Sequence, residues 1–256
     1  MNAREFLIRG LLAGLLAGLA TFAVAYVVGE PHVDSAIAIE EGGEHSHAAD
    51  VEADHTHGEE AAVSRQDQST WGLATGTVTV GVTIGGVLGL VAAAAMGRIA
   101  QVSAGASTAL VGAIGYVSVV LVPFLKYPAT PPAVGDGETI GQRTVLYFAF
   151  VAVSVVAAVL CTVMATRVLA RLGTQGAVLT GAGTYLAVVT LASALMPTVN
   201  EIGDFPGDVL WDFRLASIIT LTALWAVTGV ALTALVGRLE GQHLVVQRRR
   251  EFAASL

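Results

Sequence analysis

Residues 6–28 read FLIRGLLAGLLAGLATFAVAYVV. A hydrocarbon core about 30 Å thick is crossed by about 20 helical residues, and this run is long enough. Helix is forced on it, because backbone amides in lipid have no water to satisfy them. Five more runs of the same kind follow, near Leu73–Met96, Ala104–Leu125, Val145–Ala165, Ala177–Met196 and Leu215–Val236. They are continuous and rich in Ala, Val and Leu, unlike the short alternating segments of a β-barrel. The first run lacks an A-x-A cleavage site, Val27-Val28-Gly29-Glu30 standing there instead, so it reads as a retained span rather than a signal peptide.

Composition across all 256 residues agrees. Hydrophobic residues make up 54% and charged residues 13%, with mean hydropathy +0.71. Soluble domains carry about 25% charge, so a single soluble enzyme domain is excluded. Twenty acids against thirteen bases, with no basic stripe, exclude a nucleic-acid binder. The lone Cys161 permits no intramolecular disulfide and no cysteine-type zinc site. The single lysine, Lys126, has no GxxxxGK[ST] around it, so there is no P-loop. The fold class expected is an all-α integral membrane protein with about six transmembrane helices, multi-pass in the inner (plasma) membrane.

Charge gives the orientation. With the N-terminus inside, nine of the thirteen bases fall on inner segments, and only Arg65, Lys126, Arg143 and Arg214 fall outside. Glu5, Glu240 and Glu251 lie inside and the remaining seventeen acids outside. Short basic inner loops obey the positive-inside rule, which makes both termini cytoplasmic. The chain then divides into a first helix (1–29), an extracytoplasmic His- and acid-rich loop (30–70), a five-helix bundle (71–237) with ordered outer loops at 126–144 and 197–213, and a basic cytoplasmic tail (238–256). Gly10, Gly14 and Gly18 repeat every four residues, as do Gly81, Gly85 and Gly89. Such stripes serve close helix packing more often than a path lined by carbonyls.

The outer side carries the chemistry. Segment 30–70 is acidic, contains Gly and Ala and lacks a large apolar cluster, so its composition predicts disorder. His45/His47 and His55/His57 form two His-x-His pairs among acids, and five of six histidines lie between positions 32 and 57. In an extended chain residues two apart point the same way, so each pair offers two imidazoles to one divalent ion. Imidazole with carboxylate suits transition metals without choosing among them. Glu30, His32 and Asp34 at the exit of the first span, and Glu201 in the last outer loop, complete the expected metal-contacting set. A second outer segment, PFLKYPATPPAVGDGETIGQRT (123–144), is stiffened by four prolines. It places Lys126 and Arg143 at its lips with Asp136 and Glu138 between, and predicts an ordered lid. Thr139 with Gln142 fits a capping box, so the next helix is expected to begin near Ile140. In the third, Asp208 and Asp212 share a helix face, Trp211 reads as an interfacial anchor, and Arg214 sits at the membrane boundary. These residues are expected to form structural salt bridges or to line the ion path.

Several of these stretches resemble one family. They are RGLLAGLLAGL at 9–19, GEPHVD at Gly29–Asp34, PFLKYPATPPAVGD at Pro123–Asp136, ETIGQRT at Glu138–Thr144 and NEIGDFPGDVLWDFRLAS at Asn200–Ser217. Together they resemble the CbtA family of predicted bacterial cobalt transporter subunits, over nearly the whole chain. The resemblance implies cobalt uptake linked to cobalamin biosynthesis, and a small single-span partner, the CbtB-type subunit. It assigns no metal ligands.

Residues and resemblance together predict a membrane subunit that captures a divalent metal, cobalt first, at the outer face and passes it inward. Co2+ or another transition metal is then cargo, with no cofactor and no enzymatic activity. Expected partners are the lipid bilayer, the single-span subunit and further copies in an oligomer, and no nucleic acid. Competing readings are a non-transporting scaffold subunit, a nickel or zinc transporter, and a membrane-embedded lipid-modifying enzyme.

Overall fold

The computed structural model describes residues 1–47, 63–99 and 102–255. Among them there is no strand. Helix α1 (Ala3–Val24) opens on a reciprocal cap: Glu5 N donates to Asn2 Oδ1 at 3.0 Å, and Asn2 N donates to Glu5 Oε2 at 2.7 Å. It does not stop at the end of its apolar run. A wide π-helical turn, Ala25–Gly29, carries it into α2 (Glu30–His47). The reason is Pro31, which lacks the N–H that an ordinary helical turn requires. Glu30 N donates five residues back to Ala25 O, and this wider register lets the helix continue past the proline.

The helical span of α2 corrects the expectation of disorder for residues 30–47. Composition alone favoured coil, but elongating an existing helix requires no new nucleus. The rest of the expected loop up to residue 62, with His55 and His57, lies outside the described residues. Helix α3 (Arg65–Asp67), capped by Ser64, runs through a second π turn (Gln68–Gly72) into α4 (Leu73–Ala95). Helix α5 (Ala104–Tyr116) passes through a third (Val117–Leu121) into α6 (Val122–Lys126). Here again the wide turn immediately precedes a proline, Pro123.

After the second outer segment come α7 (Ile140–Leu195) and α8 (Gly207–Ala254). Helix α7 is interrupted at Gly173, whose backbone (φ 67°, ψ 179°) is not helical. The chain reverses there. Ser154 Oγ lies 2.8 Å from Tyr185 Oη, and Ala157, Ala158 and Cys161 of one arm pack on Tyr185 and Val189 of the other. Glycine tolerates the positive φ without Cβ strain. The expected runs Val145–Ala165 and Ala177–Met196 are the two arms of this one element. Five helical stretches are long and apolar enough to cross a membrane: Ala3–Gly42, Arg65–Ala95, Ala104–Lys126, Gly137–Leu195 and Gly207–Ala254.

The core belongs to α1, α4, α5 and α8. The two glycine stripes meet each other. A Cβ on Gly85 would stand 2.6 Å from Gly14 Cα, one on Gly81 2.8 Å from Gly18 Cα, and one on Gly18 2.6 Å from Val78 Cα. The stripes are therefore a backbone-to-backbone helix contact, not the wall of a passage. Phe6, Ala13 and Ala17 are fully buried beside them, with Leu232 and Val236 of α8. Helix α8 also crosses α5, where Gly115 leaves room for the Trp225 ring, 2.7 Å from where a Cβ would be. The α7 hairpin packs outside this core, against Ile114, Val117 and Val122.

Gly85→Val is expected to destabilise the bundle by about 3 kcal/mol, the upper end of ordinary overpacking costs. Gly76→Ala, where nothing lies within 4 Å of the added methyl, is expected to be neutral or slightly stabilising. Melting midpoints of the detergent-solubilised protein check both.

Candidate functional site at the acidic end of the bundle

Contacts alone sort the polar residues between two ends. At one, His243 Nε2 of α8 lies 3.3 Å from Glu5 Oε1, and Glu240 Oε2 accepts from Ala104 N, the first residue of α5, at 3.0 Å. The starts of α1 and α5 thus sit together with the distal part of α8. The far end of α1, the end of α6 and the start of α8 consequently share the opposite end. It holds Glu30, Asp34, Lys126, Asp136, Glu138, Arg143, Glu201, Asp208, Asp212 and Arg214.

At that end Glu30 and Asp34, one helical turn apart on α2, close on Arg65. Arg65 Nη2 is paired with Glu30 Oε2 and lies 2.8 Å from Asp34 Oδ1, and Arg65 Nε donates to Asp34 Oδ1 at 3.0 Å. Arginine stays charged at any working pH, so this clamp neutralises much of the charge of both acids. It ties the base of α2 to the start of α3. Half-buried His32 shares the first turn of α2. His45 falls near the end of the helix and His47 is its last residue. Arg65 itself was missed as part of the site, although it is the one base in an otherwise acidic segment.

The second cluster is the lid. Glu201 is its hub: its Oε2 accepts from Asp136 N at 3.2 Å and from Thr139 Oγ1 at 2.8 Å, and lies 3.5 Å from Arg143 Nε. Thr139 therefore does not form the expected capping box, since the carboxylate captures its hydroxyl in a charge-assisted bond. Asp136 supplies the cap instead, its Oδ1 accepting from Glu138 N at 2.9 Å. Arg143 Nη2 donates to Asp136 O at 3.1 Å. Gly135 (φ 99°) lies so close to the guanidinium that a Cβ would collide with it. Two further bonds join the outer segments: Lys126 Nζ to Met196 O at 3.2 Å and Tyr127 Oη to Pro197 O at 2.7 Å. Arg214 Nε donates to Ala129 O at 3.3 Å. The ordered lid is thus held by contacts between segments some sixty to eighty-five positions apart in sequence. Glu138, Asp208, Trp211 and Asp212 are exposed.

Among the described residues no three His, Cys, Asp or Glu side chains converge as a metal cluster. Glu30, Asp34 and Glu201, carboxylates that the sequence offered as ligands at this end, are engaged with arginines.

The model of one protein family, described as a probable cobalt transporter subunit (CbtA), matches residues 3–237. The chain belongs to the CbtA family. No curated protein and no solved structure was found to match it. Matched residues 3–237 contain the clamp, the lid and both glycine stripes, so all three features belong to the CbtA region of the chain. A bundle of long apolar helices accords with a multi-pass membrane transporter subunit.

Partial burial pushes the Tyr127 phenol above its ordinary value, which is about 10. A raised folded-state pKa means that this contribution is intact below about pH 10 and is lost as pH rises through the folded value. Tyr127→Phe is expected to cost about 1 kcal/mol at pH 7 through the lost bond to Pro197 and to flatten the stability loss above pH 10. Melting curves from pH 7 to 11 check this. Glu201→Ala is expected to accelerate amide exchange across residues 130–139 at least tenfold, read by hydrogen–deuterium exchange, while the α1–α4 contact stays protected.

Proposed function

We propose that this protein is the membrane subunit of a cobalt uptake system, which captures the divalent ion at the outer face and passes it inward across the plasma membrane. The observation that carries this reading is the family match over residues 3–237, on a bundle whose two ends are chemically unequal. In this reading the end that gathers the clamp, the lid and the root of the His-bearing segment is the extracytoplasmic one and both termini are cytoplasmic, an orientation that the arginine-rich opposite side supports. An acidic surface raises the local concentration of cations and their rate of arrival.

Capture belongs to His45, His47, His55 and His57, with Asp34 and His32 at the root of the segment. Imidazole and carboxylate replace part of the water shell of the ion. The Arg65 clamp holds the root in place, and Glu201 keeps the lid closed over the helix ends. The membrane potential drives the crossing: a doubly charged cation moving inward gains about 4.6 kcal/mol per 100 mV. A small single-span subunit of the CbtB type completes the transporter, in keeping with the word subunit in the family description.

Cells carrying the gene are expected to accumulate more cobalt than cells lacking it at submicromolar supply, measured as cell-associated metal. Replacing His45, His47, His55 and His57 by Ala is expected to lower uptake at low metal and spare it at high metal. Equal accumulation with and without the gene rejects uptake. Loss at every concentration would make the histidines part of the path itself.

A further inference from the structure

Beneath the lid lies a cavity of about 590 Å3 whose charged lining is Lys126, Arg143, Arg214 and a single carboxylate, Glu201. Among the described residues three cations face one anion, at the end of the molecule otherwise richest in acid. Their partners leave them under-neutralised. Lys126 bonds a carbonyl, Met196 O, and rests over the Tyr127 ring with Nζ 5.4 Å from its centroid. Among the described residues Arg214 makes one hydrogen bond, at 3.3 Å to Ala129 O. Among the described residues neither lies within ion-pair distance of a carboxylate. Arg143 shares Glu201, but its buried Nε has no hydrogen-bond partner.

Cations gathered around a cavity repel one another, and burying them is costly unless an anion joins them. Lysine carries three donors and each arginine five, so most of the donor capacity here is unspent. Hydroxyls of Thr130 and Tyr147 add neutral donors to the same walls. The depth is also informative. Trp211 on α8 and Trp71 in the turn before α4, 60% and 76% exposed at this end, mark the headgroup level where aromatic side chains collect.

We propose that this cavity binds a phosphate-type oxyanion, held by Lys126, Arg143 and Arg214 under the lid. Arginine and lysine recognise phosphate through charge-assisted bonds. The phosphate belongs either to a lipid headgroup entering from the membrane side or to a free anion from the outer solution. A bare divalent cation is repelled by the same lining, so the metal does not enter through this cavity. The site stands independently of the uptake reading, since it rests on the lining alone.

The test uses the full chain in dodecyl maltoside, a phosphate-free detergent, at constant ionic strength. The probes are inorganic phosphate and dihexanoyl phosphatidylglycerol, with sodium chloride as reference, and binding is read from the concentration dependence of the melting midpoint. At least one phosphate probe is expected to stabilise the protein saturably while chloride does not. A response to both probes identifies a free-anion site, and a response to the lipid alone identifies a headgroup site. Lys126→Gln and Arg214→Gln are each expected to weaken binding about tenfold. Thr130→Asp, an exposed position that brings a carboxylate to the cavity mouth, is expected to weaken it similarly and keeps the test decisive if a charge deletion does not fold. No saturable response to either probe overturns the proposal, and so does binding unchanged in the folded variants among the three.

Discussion

The close approach of α1 to α4 is the contact on which the rest of the molecule depends. In lipid, apolar side chains gain little by leaving one apolar medium for another, so helices associate through van der Waals contact at short range. Gly10, Gly14 and Gly18 on one helix and Gly81, Gly85 and Gly89 on the other leave no Cβ at the points where the two backbones come closest. Phe6, Ala13 and Ala17 are then buried along it. With this pair set, α8 lies across α1 and α5 joins α8, so the four-helix core follows from one shared seam.

Prolines shape what lies beyond the core. Pro31 and Pro123 would each break a regular helix, yet both sit just past a π-helical turn that absorbs the missing donor. The result is that α1 projects as α2, and α5 reaches the lid as α6. Both projections carry charge: the Glu30–Asp34–Arg65 clamp at the base of one and Lys126 at the end of the other. Pro128, Pro131 and Pro132 then stiffen the lid, which Glu201 holds from the opposite segment.

Charge at this end is organised in two layers with opposite sense. The acids nearest the helices are tied to arginines, and the lid covers a cavity with a surplus of positive charge. The exposed acids, Asp208 and Asp212 among them, face outward. This separation follows from geometry, since the same residues read along the chain form mixed stretches of both signs.

Membrane residence, helix class and the positions of the apolar runs were legible in the chain, because lipid leaves the backbone only a few ways to satisfy its hydrogen bonds. The start of α7 at Ile140 was also legible, although the Thr139 capping box expected there is not formed and Asp136 caps the preceding turn instead. The helical extension over 30–47 was not, because local composition says nothing of a helix already growing from upstream. Nor could the sequence pair Arg65 with Glu30 and Asp34, or make Glu201 the hub of the lid, because those contacts join residues thirty to sixty-five positions apart. The two glycine stripes announced close packing, but only the folded bundle showed that they pack on each other. Period and composition are properties of a segment; partnership depends on which segments the tertiary structure brings within a few ångströms.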